Sequence, residues 1–180
     1  MNIIGIDAGS TKSGVAIVAY GQIVKGMVIP NEQVLELLTD PIYLTYKIVI
    51  EDLRAYSVRL SQDLIHTAKF IGVMEYVLKT NKSDYLLVER VKIKKMVYDK
   101  YPSAEIEVRD KIKQRGKINP STLEYRKPSM IYVCDRVVAN AMRYFWNLPK
   151  GQGQRNKLGL ATHSWQGLAL CSYVLFGESE

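Results

Sequence analysis

The sequence predicts an α/β fold: a mixed sheet, in which an antiparallel three-strand meander is followed by parallel strands, flanked by helices. The N-terminal part contains three short apolar runs separated by turn-forming residues, the pattern of consecutive antiparallel strands. Further along, two apolar runs are separated by a segment of helical periodicity, as neighbouring parallel strands require. The chain has 180 residues and no internal repeat, so we expect a single domain over residues 1–180.

The first half of the chain alternates strands with two helices. Ala8, Gly9 and Ser10 predict a tight turn, where Gly9 lets a ligand or a second backbone come close. The Ser13 hydroxyl can bond a nearby backbone group or a phosphate oxygen, and Asn31 is a possible helix cap. The predicted elements are strands over residues 3–6, 14–20 and 22–29, a helix over 30–38, a strand over 46–51, a helix over 61–78 and a strand over 85–88.

The second half is less regular. Residues 93–126 are basic and contain two prolines, so we expect helix and mobile loop that contact the substrate. A proline near its start predicts a helix over residues 127–145, and a Gly-rich loop follows over 148–159. Thr162 is predicted to cap a final helix that runs from His163 to about Phe176.

The charge balance favours a polyanionic partner. With 25 basic and 18 acidic residues the net charge is +7. The basic residues cluster in the middle third among tyrosines, which fits a surface that tracks phosphates and stacks bases, although a solvated charged face gives the same pattern. The predicted nucleic-acid contacts are Lys94, Lys95, Lys111, Lys113 and Arg115, together with Lys12 near the first turn, for which a solvated lysine is the alternative.

The compartment follows from what the sequence lacks. Cys134 and Cys171 form no CxxC or Cys/His cluster, so we expect free buried thiols in a reducing cytosol. The apolar run at residues 168–176 is too short to cross a bilayer, and no secretion signal opens the chain. We therefore predict a cytoplasmic protein with no membrane partner.

Two acidic residues end two apolar strands. Asp7 follows the first strand and Glu51 closes the strand over residues 46–51. If these strands are neighbours, the two carboxylates face each other at one edge of the sheet, where each raises the pKa of the other unless a cation lies between them. A divalent metal is the usual solution. An aspartate at a strand-to-turn junction is, on the other hand, often only a turn former.

The order of elements and three segments resemble the RuvC family of Holliday-junction resolvases, within the RNase H-like nuclease superfamily. Residues 3–10, with Asp7, resemble the first motif of that family, whose aspartate binds metal. Residues 48–51, with Glu51, followed by the helix over 61–78, resemble the second. Residues 163–169, with His163, are similar to the closing motif, and the small size suggests a phage-type member.

This resemblance implies a crossover-junction endodeoxyribonuclease that hydrolyses phosphodiesters in branched DNA such as a four-way junction. Two Mg²⁺ or Mn²⁺ ions per site activate water and neutralise the leaving oxygen, and no small-molecule cofactor is implied. Asp7 is then the shared ligand, Glu51 a ligand on the water-activating side, and His163 a ligand or a proton-handling partner. A homodimer is implied, since cutting two opposed strands needs two sites.

One departure concerns Gln166, which stands where the family has its final aspartate. His163 and Gln166 lie three residues apart, so both could point at the metals, but an amide oxygen is a weak, uncharged ligand. The chain is accordingly a divergent nuclease, an inactivated variant or a branched-DNA-binding protein that does not cut. Four further acids are poor replacements for the aspartate, and Glu89 is the best of them; they are Asp52, Asp84, Glu89 and Asp135.

A rival interpretation is an actin-like ATPase or sugar kinase, because residues 5–11 also resemble the first phosphate loop of that group. That fold needs two such lobes. The chain has no second Asp-x-Gly phosphate loop and is too short for both lobes, so we set this interpretation aside.

Overall fold

The computed structural model describes residues 1–53, 61–100, 135–148, 158–161 and 163–177. Its strands are β1 (Ile3–Asp7), β2 (Lys12–Ala19), β3 (Gln22–Pro30), β4 (Lys47–Asp52) and β5 (Tyr85–Glu89). Its helices are α1 (Asn31–Thr39), α2 (Gln62–Thr80), α3 (Arg90–Lys100), α4 (Asp135–Phe145) and α5 (Ser164–Phe176).

The described strands form one mixed sheet in the order β3-β2-β1-β4-β5. Strands β1, β2 and β3 pair antiparallel, and β4 and β5 join them as parallel neighbours on the other side of β1. The predicted fold class, a mixed sheet in which an antiparallel meander is followed by parallel strands, flanked by helices, is confirmed. The strand next to β1 is β4, so the two acid-ended strands are neighbours, as the site prediction requires.

The sheet separates two apolar cores, because side chains alternate between its faces. Ile4 and Ile6 of β1 pack with α1 and α2 on one face. Ile3, from the same strand, packs with α3, α4 and α5 on the other face. The odd-numbered positions of β1 therefore point toward α5, and this fixes the face on which Asp7 lies.

Helix α5 packs unusually close to the sheet because glycines face each other at the contact. A Cβ added to Gly5 of β1 would overlap the backbone carbonyl of Gly167 in α5, and a Cβ on Gly14 of β2 would overlap the backbone of His163. Side chains at these positions would push the helix outward. The glycine at position 167, where the resembling family has alanine, is thus part of the helix-to-sheet contact.

Several predicted boundaries shift by one or two residues, and two cap assignments were wrong. His163, which was predicted to follow the cap Thr162, itself occupies the cap position of α5. Asn31 is the first residue of α1 and not its cap, since Pro30 occupies the cap position. Ser61, by contrast, caps α2 by accepting a hydrogen bond from the Leu64 amide (3.2 Å). Cys171 is buried as expected. Cys134, Thr162 and most of residues 93–126 and 148–159 lie outside the described residues.

Among the described residues, the helices are all too short or too polar to cross a membrane.

Candidate active site

Asp7 and Glu51 lie side by side at one edge of the sheet. The parallel register aligns Ile6 with Ile50, so the next residue of each strand is one of the two acids. Alternation places both on the face that carries α5. Both residues are only 6% exposed, which makes this a buried pair of carboxyl groups, as the strand-end pattern predicted.

The turn after Asp7 is held by a buried hydrogen-bond network. Asn31 Nδ2 donates to the Gly9 carbonyl (3.1 Å), and its Oδ1 accepts from the Ser13 hydroxyl (2.9 Å). The Gly9 amide in turn donates to Ser13 Oγ (3.4 Å). The Ser13 hydroxyl therefore bonds protein groups rather than a phosphate. The close neighbour of Gly9 is a second backbone, because a Cβ there would overlap the Lys12 carbonyl.

His163 completes the group from the start of α5. A hydrogen bond of 2.9 Å joins its Nδ1 to Asp7 Oδ2. An ionised carboxylate only accepts hydrogen bonds, so Nδ1 is the donor whenever Asp7 is charged. The His163 side chain is 63% exposed, so the ring that carries its other nitrogen, Nε2, is accessible to solvent. The structure thus brings this histidine beside Asp7, and its role as a metal ligand or proton-handling partner stays a prediction.

Arg90 is the residue of the site that sequence reasoning missed. Its guanidinium Nη1 donates to Glu51 Oε1 at 3.0 Å, forming an ion pair with a carboxylate that is 8% exposed. Arg90 begins α3 directly after β5, and Val88 of β5 is in register with Glu51. The available signal was that Arg90 follows, by two residues, the register partner of Glu51. This signal can be recognised only once it is known which strands are neighbours.

Burial raises the pKa of both carboxyl groups. For Glu51 desolvation is the largest cause and Asp7 adds to it, while Arg90 opposes them; together they raise the pKa from 4.5 to about 7. Desolvation likewise raises the pKa of Asp7, against the lowering effects of His163 and Arg90. Within the described residues the second oxygen of Glu51, Oε2, is buried and has no hydrogen-bond partner. Such a pair is unfavourable in its ionised form unless a further cation approaches it.

Gln166 lies one turn after His163 and is buried, with 3% of its surface exposed. Its Nε2 is among the buried polar atoms that have no hydrogen-bond partner in the described part of the chain. A buried unsatisfied amide of this kind costs about 1–3 kcal/mol of stability. This loss of stability from an unpaired amide contrasts with the close packing of the rest of α5 against the sheet.

Of the four alternative acids, the three that the structure describes lie away from this pair. Asp52 and Glu89 are register partners, and alternation turns both toward the face of the sheet that carries α1 and α2. Asp84 precedes β5, at the opposite edge of the sheet, where it pairs with Lys47 (3.1 Å). The side chain of Asp135 lies outside the described residues.

The predicted DNA contacts are described only in part. Lys12 is exposed at the start of β2, and alternation along β2 puts it on the same face as Asp7. Lys94 and Lys95 lie on α3, the helix that Arg90 begins. Lys111, Lys113 and Arg115 are outside the described residues.

Comparisons with known proteins agree with this architecture. No family model matches the chain, and no curated protein matches its sequence. A structure described as "T. thermophilus RuvC in complex with Holliday junction substrate" superposes with a TM-score of 0.59 at 14% identity, over 98% of this chain and 96% of that chain. The fold is that of RuvC. A second match, "Thermus thermophilus RuvC structure", has the same TM-score and identity and covers 97% of that chain.

The residues of the site fit a divalent cation bound between Asp7 and Glu51. Two adjacent buried carboxylates supply the hard oxygen ligands that Mg²⁺ and Mn²⁺ prefer. Oε2 of Glu51 is a buried oxygen with no hydrogen-bond partner among the described residues, so it can serve as a ligand to a cation. Counting His, Cys, Asp and Glu alone, the described residues contain no group of three or more arranged to hold a metal ion, so the fit rests on this pair.

Proposed function

We propose that this protein is a metal-dependent endonuclease that hydrolyses phosphodiesters in branched DNA, with a four-way junction as its substrate. The observation that carries the proposal is the buried Asp7 and Glu51 pair on neighbouring strand ends of a RuvC fold. Burial of two like charges costs stability, and a hydrolytic metal site is a function for which that cost is useful. The net charge of +7 supports a polyanionic substrate.

Asp7 and Glu51 would hold Mg²⁺ or Mn²⁺. When bound, a divalent ion lowers the pKa of an attacking water and stabilises the charge that develops on the phosphate. The two-ion arrangement implied by the resemblance stays a prediction. No small-molecule cofactor is needed for this chemistry.

His163 would move a proton during the reaction, and its hydrogen bond to Asp7 supports this role. Its Nδ1 is bonded to Asp7, which fixes the plane of the ring, and the ring is exposed enough for Nε2 to meet a substrate. In this position His163 can supply a proton to the leaving oxygen or add a nitrogen ligand, the two roles that the family resemblance offers.

Lysines around the site would position the DNA. Lys12 stands on the same face as the two acids, and Lys94 and Lys95 extend the basic surface along α3. Lys111, Lys113 and Arg115 would continue it in the middle third of the chain. Because a four-way junction has two strands to cut, the working form is proposed to be a homodimer with one site in each subunit.

A second candidate is a branched-DNA-binding protein on the same fold that does not cut. The specific observation in its favour is Gln166, an uncharged residue at the position where the resembling family has an aspartate. If loss of that carboxylate silenced the enzyme, Gln166→Asp should raise cleavage from a low or undetectable level. His163→Ala separates the cases further. Loss of activity makes the histidine a working residue, and wild-type rates in both variants mean that α5 does not serve the metal site.

The test of the proposal is a cleavage assay with purified full-length protein. A labelled four-way junction and a linear duplex of the same sequence are incubated with Mg²⁺ or with EDTA. We expect metal-dependent cuts in the junction and little or none in the duplex. Equal cutting of both substrates would contradict branch selectivity, and tight junction binding with no cut in any metal would favour the binding protein.

A further inference from the structure

Arg90 occupies a place in the site where a cation is needed. The guanidinium lies 3.0 Å from Glu51 Oε1, and the Arg90 side chain is 39% exposed while the Glu51 side chain is 8% exposed. One nitrogen of the guanidinium, Nη1, therefore contacts the buried carboxylate pair, while part of the Arg90 side chain is exposed to solvent. An incoming phosphate could reach it without any change of the fold.

The position of Arg90 is unfavourable for the helix that contains it. Arg90 is the first residue of α3, and no acidic residue is present in the first turn of that helix. The N-terminus of a helix carries a partial positive charge, so a cation there is repelled rather than stabilised. The carboxylate of Glu51 offsets this repulsion. The sequence thus concentrates positive charge at the edge of the sheet where the two acids lie.

The charges of the site determine how many divalent ions it can hold. Among the described residues, Asp7 and Glu51 contribute two negative charges to the site, and Arg90, paired with Glu51, contributes one positive charge. Gln166 contributes no charge, although the resembling family has an aspartate at this point of its closing motif. A first divalent ion makes the local charge positive, so a second would enter against the ion and the arginine together.

We propose that the site takes a single divalent ion and that the Arg90 guanidinium supplies, toward the scissile phosphate, the positive charge that a second ion supplies in a two-ion nuclease. This inference rests on the proposed function. The hydrolysis itself is unchanged: a water molecule releases a proton as its oxygen bonds to phosphorus, the phosphorus–oxygen ester bond breaks, and the leaving oxygen takes up a proton.

The chemistry of arginine suits this role. A guanidinium stays charged at all working pH values and presents five N–H donors in a fixed plane, a geometry that matches phosphate oxygens. It needs no acidic ligands, so the loss of an aspartate at position 166 is compatible with activity.

Ion stoichiometry tests the inference directly. Mn²⁺ is titrated into the full-length protein by calorimetry, with electron paramagnetic resonance as a second readout of bound ion. We expect one ion per chain in the wild type and two in the double variant Arg90→Gln/Gln166→Asp. Two ions in the wild type would overturn the inference, as would one ion in a folded double variant.

A single substitution gives an independent measurement if the double variant does not fold. Removing the like charge should tighten binding of the one ion by about tenfold or more in Arg90→Gln. The matched control is Lys92→Gln, which removes an equal charge from an exposed position of the same helix and should leave the affinity unchanged. Equal affinity in Arg90→Gln and the wild type would contradict the inference.

Cleavage distinguishes a phosphate-binding arginine from one that blocks the site. We expect Arg90→Gln to lower kcat by about 100-fold or more with its ion still bound, and Arg90→Lys to recover part of the rate. Faster cleavage by Arg90→Gln would mean that Arg90 obstructs the metal and would overturn the proposed role. If the wild type cuts no substrate, the proposed function and the phosphate role of Arg90 both fail, whereas the ion count is still decided by the titration.

Discussion

Replacing Glu51 by glutamine should stabilise the metal-free protein at alkaline pH while it removes the proposed metal ligand. In the folded chain the pKa of Glu51 is raised from 4.5 to about 7, chiefly by burial. The folded state therefore binds a proton that the unfolded state has released, and stability falls as pH rises between these two values. Glutamine has nearly the shape of the protonated acid and carries no charge, so it should avoid the loss.

The size of the effect follows from the pKa. One pKa unit corresponds to about 1.4 kcal/mol, so the rise of the Glu51 pKa sets an upper limit of about 3 kcal/mol on the gain. At about pH 8 the Glu51→Gln variant should exceed the wild type by about 1–3 kcal/mol, and at about pH 4 the two should be equal within error. Loss of the Arg90 ion pair is already included, because Arg90 lowers the pKa on which the limit is based.

The assay is urea unfolding in EDTA at several pH values, with Asp84→Asn as control. Asp84 also pairs with a cation, Lys47, but its side chain is 68% exposed, so its replacement should change stability by less than about 1 kcal/mol at each pH. Adding Mg²⁺ at alkaline pH should then raise the melting temperature of the wild type and not that of Glu51→Gln. A Glu51→Gln variant that is less stable than the wild type at alkaline pH would refute the reasoning.

Two further predictions concern the packing of α5 and the DNA surface. Gly5→Ala should destabilise the fold by about 2–3 kcal/mol, since its Cβ would overlap the Gly167 backbone. The control Gly72→Ala, in open space within α2, should stabilise the fold by about 0.5–1 kcal/mol. Equal urea unfolding midpoints for Gly5→Ala and the wild type would contradict the close contact between α5 and β1. Binding of the four-way junction should weaken as the salt concentration rises. A variant in which four lysines are replaced by alanine should reduce the steepness of log K (the association constant) against log salt concentration by about 3 or more. An unchanged slope would place the DNA surface elsewhere. The four residues replaced are Lys94, Lys95, Lys111 and Lys113.

The position of each acid at the end of a strand was predictable because it depends on local pattern. Asp7 and Glu51 each end an apolar run, and parallel strands that start level also end level. The helical spacing over residues 61–78 similarly predicted α2 to within two residues at its end.

Features that depend on the register between strands could not be predicted. The ion pair of Arg90 with Glu51 requires β5 to lie beside β4 with Val88 opposite Glu51, and no local pattern specifies that alignment. The network of Asn31 with Ser13 likewise joins residues that are neighbours only after β2 and β3 have paired. Asn31 was interpreted as a cap because a cap is the commonest local use of asparagine.

Gly167 is a second feature whose role depends on a contact between elements and could not be predicted from the sequence. The sequence alone gives this glycine no evident role. In the structure it packs against the backbone of β1 and β2 and lets His163 come within hydrogen-bond distance of Asp7. A residue with no chemistry of its own thus determines the distance between two residues of the candidate site.

The most direct test of the central claim compares cleavage and binding in Asp7→Asn. The substitution keeps the shape of the side chain and removes one of the two charges proposed to hold the ion. With Mg²⁺ present, we predict that junction cleavage falls by about 100-fold or more, while the Kd for the junction in EDTA stays within about threefold of the wild type, since the basic residues that grip DNA are untouched. Cleavage by Asp7→Asn at the wild-type rate would contradict the assignment of the buried carboxylate pair as the metal site.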